Sequence, residues 1–280
     1  MDKNPELIQD VDLLRDDDSA TANSRPRVPL FLVHDGGGTT FAYHCLDPLR
    51  RPTYGLFNPC YRAGGNFEGG VRGMGRLYAI MIKQTCSEAD FPSARGPDSR
   101  VDILIGGWSM GGILSLEIAK VLTNDQDVRV IGVLMMETMC PMHLPTHTNG
   151  GGGYVESLDH FGLGKKNKNL VLSMRAMKQA LRLVREWEPP VWAADQQRPR
   201  VSLLRATEAL LPAGNDKGVH ILDIYRHDPK LGWDQYDPDL LTETLDVEGN
   251  HFEMFSFQHI PGISKTIKRC CDTLERLDRS

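Results

Sequence analysis

Gly107-Trp108-Ser109-Met110-Gly111 sets a serine between two glycines, each two residues away. The apolar run "VDILIGGWS" (Val101–Ser109) ends on that serine. "MGGILSLEIAKVLT" (Met110–Thr123) follows at once, with Ile113, Leu116, Ala119 and Leu122 on one helical stripe. A strand turning straight into a helix holds its corner residue in a strained backbone conformation and lifts the side chain above the sheet. Residues two before and two after must lack bulk, which Gly107 and Gly111 satisfy. The helix N-terminus points backbone N–H groups and a partial positive charge at the same spot. The chemistry on offer is attack by the Ser109 hydroxyl on an electrophilic carbonyl, through a covalent intermediate.

That hydroxyl is a poor nucleophile near neutral pH, so it needs a base within hydrogen-bond reach and an acid to orient the base. In folds that present a serine this way, the acid and then the histidine follow it along the chain. Nine histidines are available. His34 and His44 precede Ser109; His143, His147 and His160 lie in a non-alternating stretch; His220 and His227 lie in a polar connection. His259 remains, with His251, which stands in "VEGNHFEMF" between the last strand-like run and the last helix-like run. Gly249 and Asn250 shape a turn there, and Phe252 and Phe255 anchor it. A loop at a strand's C-terminal end faces the same rim as Ser109, so His251 is the expected base. For the acid, Glu137 ends the apolar run in "VIGVLMMETMCP", where a lone carboxylate would ordinarily be a strand end meeting water. Glu208, Asp223, Asp228 and Asp234 are the alternatives.

A tetrahedral intermediate needs two N–H donors. One is the residue after the nucleophile, Met110. "LVHDGGGTT" supplies the other from three glycines that let backbone approach a substrate. Gly36 is the first choice, with Asp35 and Gly37 as alternatives. A phosphate-binding loop is excluded because its lysine is missing and GxGxxG is not matched. Asp35 is unfavourable beside an oxyanion unless its side chain points away. Trp108 and Met139 are expected to contact substrate, and Met135, Met136, Met142 and Trp233 could extend an apolar acyl pocket. Cys140 could also line it.

The elements that must position these groups alternate. Strands are expected at 28–34, 52–58, 101–109, 128–136, 200–208 and 242–249, with helices at 71–85, 110–123, 168–188 and 261–277. Alternation of buried strands and helices implies a mostly parallel sheet covered on both faces. Residues 1 to about 26 read as a disordered acidic tail. The remainder, 27–280, reads as one domain with an insertion at about 142–199 that covers the site as a lid.

The chain's 280 residues suit one large α/β domain, and 40% hydrophobic with 25% charged residues is ordinary for a soluble protein. A net charge of -5 gives no reason to expect nucleic acid or an acidic membrane surface as partner. No apolar run approaches the roughly 20 residues of a membrane helix. The acidic N-terminus does not resemble a secretory signal. Six cysteines without a CxxC pair or zinc-like spacing read as reduced thiols in a cytoplasmic protein, with no metal.

"PLFLVHDGGG", "GGWSMGG" and "EGNHFEMF" together resemble the thioesterase domains that release products from polyketide synthases and nonribosomal peptide synthetases, and "HDGGGTTFAYHCL" looks closest to those of fungal synthases. The resemblance runs from about Pro29 to the C-terminus. It implies an α/β-hydrolase fold and an acyl or peptidyl chain passed from the phosphopantetheine arm of a carrier protein onto Ser109. Release then follows by hydrolysis or cyclisation, with no cofactor of the protein's own. The family's acid usually follows the strand after the nucleophile, in a motif like "LIDSP". "LMMETMCP" occupies that place here, with Glu137 28 residues past Ser109. The departure from Asp to Glu demands that the loop retreat by about a C–C bond. The remaining readings are a general carboxylesterase of small soluble esters and a non-catalytic hydrolase-fold binding protein.

Overall fold

A computed structural model describes residues 3–10, 26–65, 67–92, 95–142, 168–210 and 220–279. Seven strands form one sheet: β1 (Glu6–Gln9), β2 (Leu30–Val33), β3 (Thr53–Leu56), β4 (Val101–Trp108), β5 (Val128–Met136), β6 (Arg200–Ala206) and β7 (Leu241–Val247). Their spatial order is β1-β3-β2-β4-β5-β6-β7, all parallel except β1, which pairs antiparallel with β3 at the edge. The helices are α1 (Phe41–His44), α2 (Gly70–Cys86), α3 (Met110–Val121), α4 (Lys168–Arg185) and α5 (Ile260–Asp278).

The central strands are buried on both faces, as continuous apolar runs require. Successive residues of β4 split between two cores: Ile103 and Ile105 pack with α2 and α3, and Leu104 packs with α5. Val133 and Met135 of β5 join the first core, and Leu134 and Met136 the second. Consequently Met135 and Met136 are core residues, as are Trp233 and Cys140, and none of the four is among the described residues that line the cavity beside Ser109. Met142 packs half-buried against the first core.

The tail expected over residues 1–26 needs correction. Residues 3–10 are ordered, and β1 extends the sheet by pairing Glu6 with Gly55 and Leu7 with Tyr54. Lys3 and Asn4 add contacts to Glu88 and to the Phe57 backbone. Backbone pairing at an open sheet edge lets a short polar segment order without a hydrophobic pattern of its own. Residues 11–25 lie outside the described residues, as do 143–167 of the expected insertion.

The turn between β4 and α3 depends on close packing. A Cβ on Gly107 would stand 2.6 Å from the Gly111 Cα and 2.7 Å from the Val33 carbonyl oxygen. We expect Gly107→Ala to cost about 2 kcal/mol or more through overpacking, read as a lower urea midpoint; an unchanged midpoint contradicts this packing.

Candidate active site

Ser109 occupies the corner between β4 and α3 with φ 56° and ψ -117°, a conformation that a residue with a side chain adopts only when its surroundings impose it. The surroundings are visible. The Ser109 N–H donates to the Met136 carbonyl at 2.8 Å, and Thr138 Oγ1 donates to the Ser109 carbonyl at 2.9 Å. The Trp108 N–H donates to the Tyr43 hydroxyl, which in turn donates to the Val33 carbonyl. The ends of β2, β4 and β5 are thereby locked together beneath the serine.

Glu137, the residue after β5, also has positive φ, 47°. Its N–H donates to the Leu204 carbonyl, which turns its side chain toward the ends of β6 and β7. There Oε1 accepts the Ala206 N–H at 2.9 Å, and Oε2 lies 3.3 Å from His251 Nδ1. Arg226 grips both oxygens, Nη1 to Oε1 and Nη2 to Oε2, each at 2.8 Å. Burial alone would push this carboxyl up. The Arg226 fork and the His251 hydrogen bond outweigh burial and hold it at about 2, so it is ionised throughout the physiological range.

His251 follows β7 on a turn built as its sequence predicts. Gly249 takes φ +88°, and Asn250 Oδ1 accepts the N–H groups of Phe252 and Glu253. The ring is buried, 5.6 Å from the Trp108 ring centroid and 5.1 Å from that of Phe252. With Glu137 accepting at Nδ1, Nε2 is left as the ring's other polar atom.

The other carboxylates weighed for this place are elsewhere. Glu208 is exposed, Asp228 accepts the N–H groups of Lys230 and Gly232, Asp234 pairs with Lys230, and Asp223 bonds Arg226. Of the other histidines, His44 meets Glu6, His227 is exposed, and His259 binds the Glu253 carbonyl. His220 lines the same cavity as His251, and its Nδ1 accepts the Leu222 N–H. His143, His147 and His160 lie outside the described residues.

The loop after β2 is organised by His34. Its buried Nδ1 lies 2.6 Å from the Asp35 carbonyl, which can only accept, so Nδ1 carries the proton and Nε2 accepts from the Tyr78 hydroxyl at 2.7 Å. Burial holds this imidazole neutral by lowering it to about 4. The Gly38 N–H donates to the same Asp35 carbonyl, and the Gly37 N–H donates to Asp35 Oδ1. Both N–H groups are thus used inside the loop. In a trans peptide the N–H lies opposite the preceding carbonyl, so fixing the Asp35 carbonyl turns the Gly36 N–H to the other side, and Gly36 lines the cavity.

That cavity, about 240 Å³, is lined by Ser109, Met110, Glu137, His251, Gly36 and Asp35. Trp108 and Met139, expected to contact substrate, line it too. Its apolar wall comes from residues that sequence reasoning did not single out: Met177, Ala180, Leu181 and Val184 of α4, with Ile113 of α3. Arg175 and Gln179 hold α4 in place by donating to the carbonyls of Tyr61 and Gly65. The sequence predicts a helix at 168–188 but carries no signal for which element its apolar face meets. Arg226 carries no local signal of its role, since it stands in the polar stretch "DIYRHD" and yet is buried.

Asp35 remains costly. Burial raises its carboxyl to about 6, against a smaller opposing effect of the Gly37 hydrogen bond. A carboxyl whose folded value is raised binds its proton more tightly when folded, so the stability it costs grows as pH rises from about 4 to 6 and persists above that. We expect Asp35→Asn to raise unfolding free energy at pH 8 by about 1–3 kcal/mol, with the gain shrinking toward zero near pH 4. Equal effects at both pH values in urea unfolding would contradict this.

No family model matches the chain. Known proteins do. A probable thioesterase, BOA10, of Botryotinia fuckeliana (strain B05.10) is 30% identical over 273 residues, spanning 98% of this chain and 92% of that protein. Thioesterase frbD of Dothideomycetidae sp. (strain 11243) is 31% identical over 255 residues, 90% of this chain and 91% of that protein. The nonribosomal peptide synthetase imqB of Aspergillus flavus is 28% identical across 99% of this chain, which covers 8% of that much longer protein. Among solved structures, the NocB thioesterase domain in covalent complex with a fluorophosphonate nocardicin G analog superposes with a TM-score of 0.64 at 23% identity, covering 88% of this chain and 95% of that one. The last likeness establishes the fold, an α/β-hydrolase fold with a mostly parallel sheet. With near-full-length relatives at this identity, the chain belongs to the α/β-hydrolase-fold thioesterases, a family that includes the thioesterase domains of nonribosomal peptide and polyketide synthases.

Proposed function

We propose that the protein is a serine thioesterase that takes a polyketide or peptidyl acyl chain from the phosphopantetheine thioester of a carrier protein and releases it through acyl-Ser109. The observation that carries this reading is the Glu137–His251 pair sharing one apolar-walled cavity with a strained Ser109 and the Gly36 and Met110 backbone. Near-full-length relatives named thioesterases support the thioester substrate, and the match to a peptide synthetase supports its delivery on a carrier.

In the first half-reaction His251 Nε2 removes the Ser109 hydroxyl proton as Oγ attacks the thioester carbonyl carbon. The carbonyl π pair moves to oxygen, and the N–H groups of Met110 and Gly36 hold that oxyanion. The oxyanion collapses, the C–S bond breaks, and the imidazolium returns its proton to the leaving thiolate. In the second half His251 deprotonates water, giving a free acid, or a hydroxyl of the chain itself, giving a ring; Ser109 leaves with the proton. Glu137 fixes the imidazole and stabilises its charged form. Side chains and backbone perform every step, so we assign no cofactor or metal. Trp108, Met139 and the α4 face hold the acyl chain. Among the described residues no helix is long and apolar enough to cross a membrane; the six unpaired cysteines fit the cytoplasm, where an acylated carrier is made.

Hydrolysis of an acyl group on a carrier protein should exceed hydrolysis of a simple ester of the same acid in kcat/KM, and Ser109→Ala should abolish both. A simple ester turned over far faster would contradict the thioesterase assignment. Glu137→Gln should lower kcat by up to about 10⁴, the loss expected when an orienting carboxylate is neutralised. Glu137→Asp, although conservative by sequence, should also lose about tenfold or more, because the shorter side chain pulls back by about 1.5 Å and cannot keep both Arg226 and His251; wild-type turnover in either variant would remove Glu137 from its role.

A further inference from the structure

Glu137 is gripped from behind by a cation, which creates an electrostatic problem. An orienting carboxylate helps its histidine because its negative charge stabilises the imidazolium. Here the Arg226 guanidinium lies flat against that carboxylate with both oxygens engaged, and a bidentate arginine neutralises most of the charge felt beyond it. An isolated Glu137–Arg226 pair would therefore orient His251 and yet leave it a weaker base.

The stretch between β6 and β7 answers this with a second carboxylate. Asp223 closes the short 3-10 turn Ile221–Asp223, and its Oδ1 accepts from Arg226 Nε at 2.9 Å. Its Oδ2 accepts the Leu210 N–H at 2.6 Å, and Arg226 Nη1 also donates to the Ala206 carbonyl at 2.7 Å. Glu137, Asp223 and Arg226 are 3%, 5% and 8% exposed, so none of these charges is screened by bulk water. With both carboxylates ionised, the three side chains carry one net negative charge, which the imidazolium of His251 brings to zero. Four hydrogen-bonded side chains thus run in line from the cavity into the protein: His251, Glu137, Arg226, Asp223.

We propose that Arg226 and Asp223 are positioning residues for the reaction: Arg226 fixes the Glu137 carboxylate against the His251 ring, and Asp223 restores the negative charge that keeps His251 a competent base. This inference rests on the assignment of Ser109, Glu137 and His251 as the reacting set. It also accounts for the glutamate. The longer side chain reaches Arg226, the Ala206 N–H and His251 together, and the arginine and its aspartate occupy the connection after β6.

A purely structural role would tie the β6–β7 connection to β5 and nothing more. The pH dependence separates the two. His251 faces Glu137 from the end of β5, the Trp108 ring from β4 and Phe252 from its own loop. Asp35, from the loop after β2, exerts its charge on the ring, and His220 and Lys178 of α4 line the same cavity. Those three groups stay constant while Arg226 and Asp223 are changed.

The experiment follows the rate of Ser109 labelling by a fluorophosphonate, and kcat/KM on an acyl-carrier thioester, from pH 5 to 9 in the full chain. Asp223→Asn should move the acidic limb of both profiles down, and Arg226→Gln should move it up, each by about half a unit to one unit. Arg226→Lys keeps the charge and loses the fork, so its limb should stay near the wild-type position while the plateau rate falls about tenfold. Circular dichroism confirms that each variant is folded; if Arg226→Gln does not fold, the Lys and Asn variants carry the same contrast. Limbs that stay put or move in one direction in the charge-changing variants, or a wild-type plateau in Arg226→Lys, would overturn the proposal. An unaltered protein that is not labelled, or a Ser109→Ala variant that still is, would instead overturn the assignment beneath it.

Discussion

A carboxylate buried at the meeting point of three strand ends is the constraint on which the rest depends. Glu137 is 3% exposed. An ion there is tolerable only if nearly every lone pair is matched, and it is: the Ala206 N–H, two Arg226 nitrogens and His251 Nδ1 surround it. Satisfying this one group dictates several features at once. The β6–β7 connection must bring Arg226 inward. Asp223 accompanies it and accepts from Arg226 Nε, so the buried guanidinium meets a carboxylate on either side. The turn after β5 must adopt positive φ so that the side chain points across β6 and not into water.

The serine is constrained by the same strand ends from the other direction. Its strained backbone is held by the Met136 carbonyl below it and the Thr138 hydroxyl beside it, both within two residues of Glu137. Ser109 and Glu137 are therefore mechanically joined through adjacent strands, while His251 arrives from a separate loop and makes contact through its Nδ1. The His34–Tyr78 pair performs a comparable task for the Gly-rich loop. It fixes one carbonyl, and through peptide planarity fixes the direction of the next N–H. Preorganisation of this kind places donors before the substrate arrives, so the reaction itself need not reorganise them.

Much of the scaffold was legible because its signals are local. The boundaries of β5 and the starts of α3 and β6 follow from where apolar runs begin and end, and the corner at Ser109 follows from two glycines at fixed offsets. The placement of Ser109 and His251 along the rim of a parallel sheet follows from topology, whereas the preference for Glu137 over Glu208, which also follows a parallel strand, rests on the family resemblance. The features without a sequence signal are non-local. Arg226 meets Glu137 across 89 residues, with nothing in its neighbours to mark it as buried. Strand β1 has no alternating pattern to detect and owes its order to backbone pairing with β3. Met135 and Met136 looked like pocket residues because methionine suits a pocket, but a central strand covered on both faces buries both in the cores.

Met177, Ala180, Leu181 and Val184 of α4 line the same cavity of about 240 Å³ as Ser109, and the proposed reaction would seat its acyl chain there. The measurement that tests this account most directly is acid-quenched, millisecond mixing of the protein with an acyl-loaded carrier, followed by peptide mass spectrometry. The account predicts an acyl mass added to the peptide containing Ser109, formed before free product and missing in Ser109→Ala. Product appearing with no adduct on Ser109, or an adduct on another residue that survives Ser109→Ala, would contradict it.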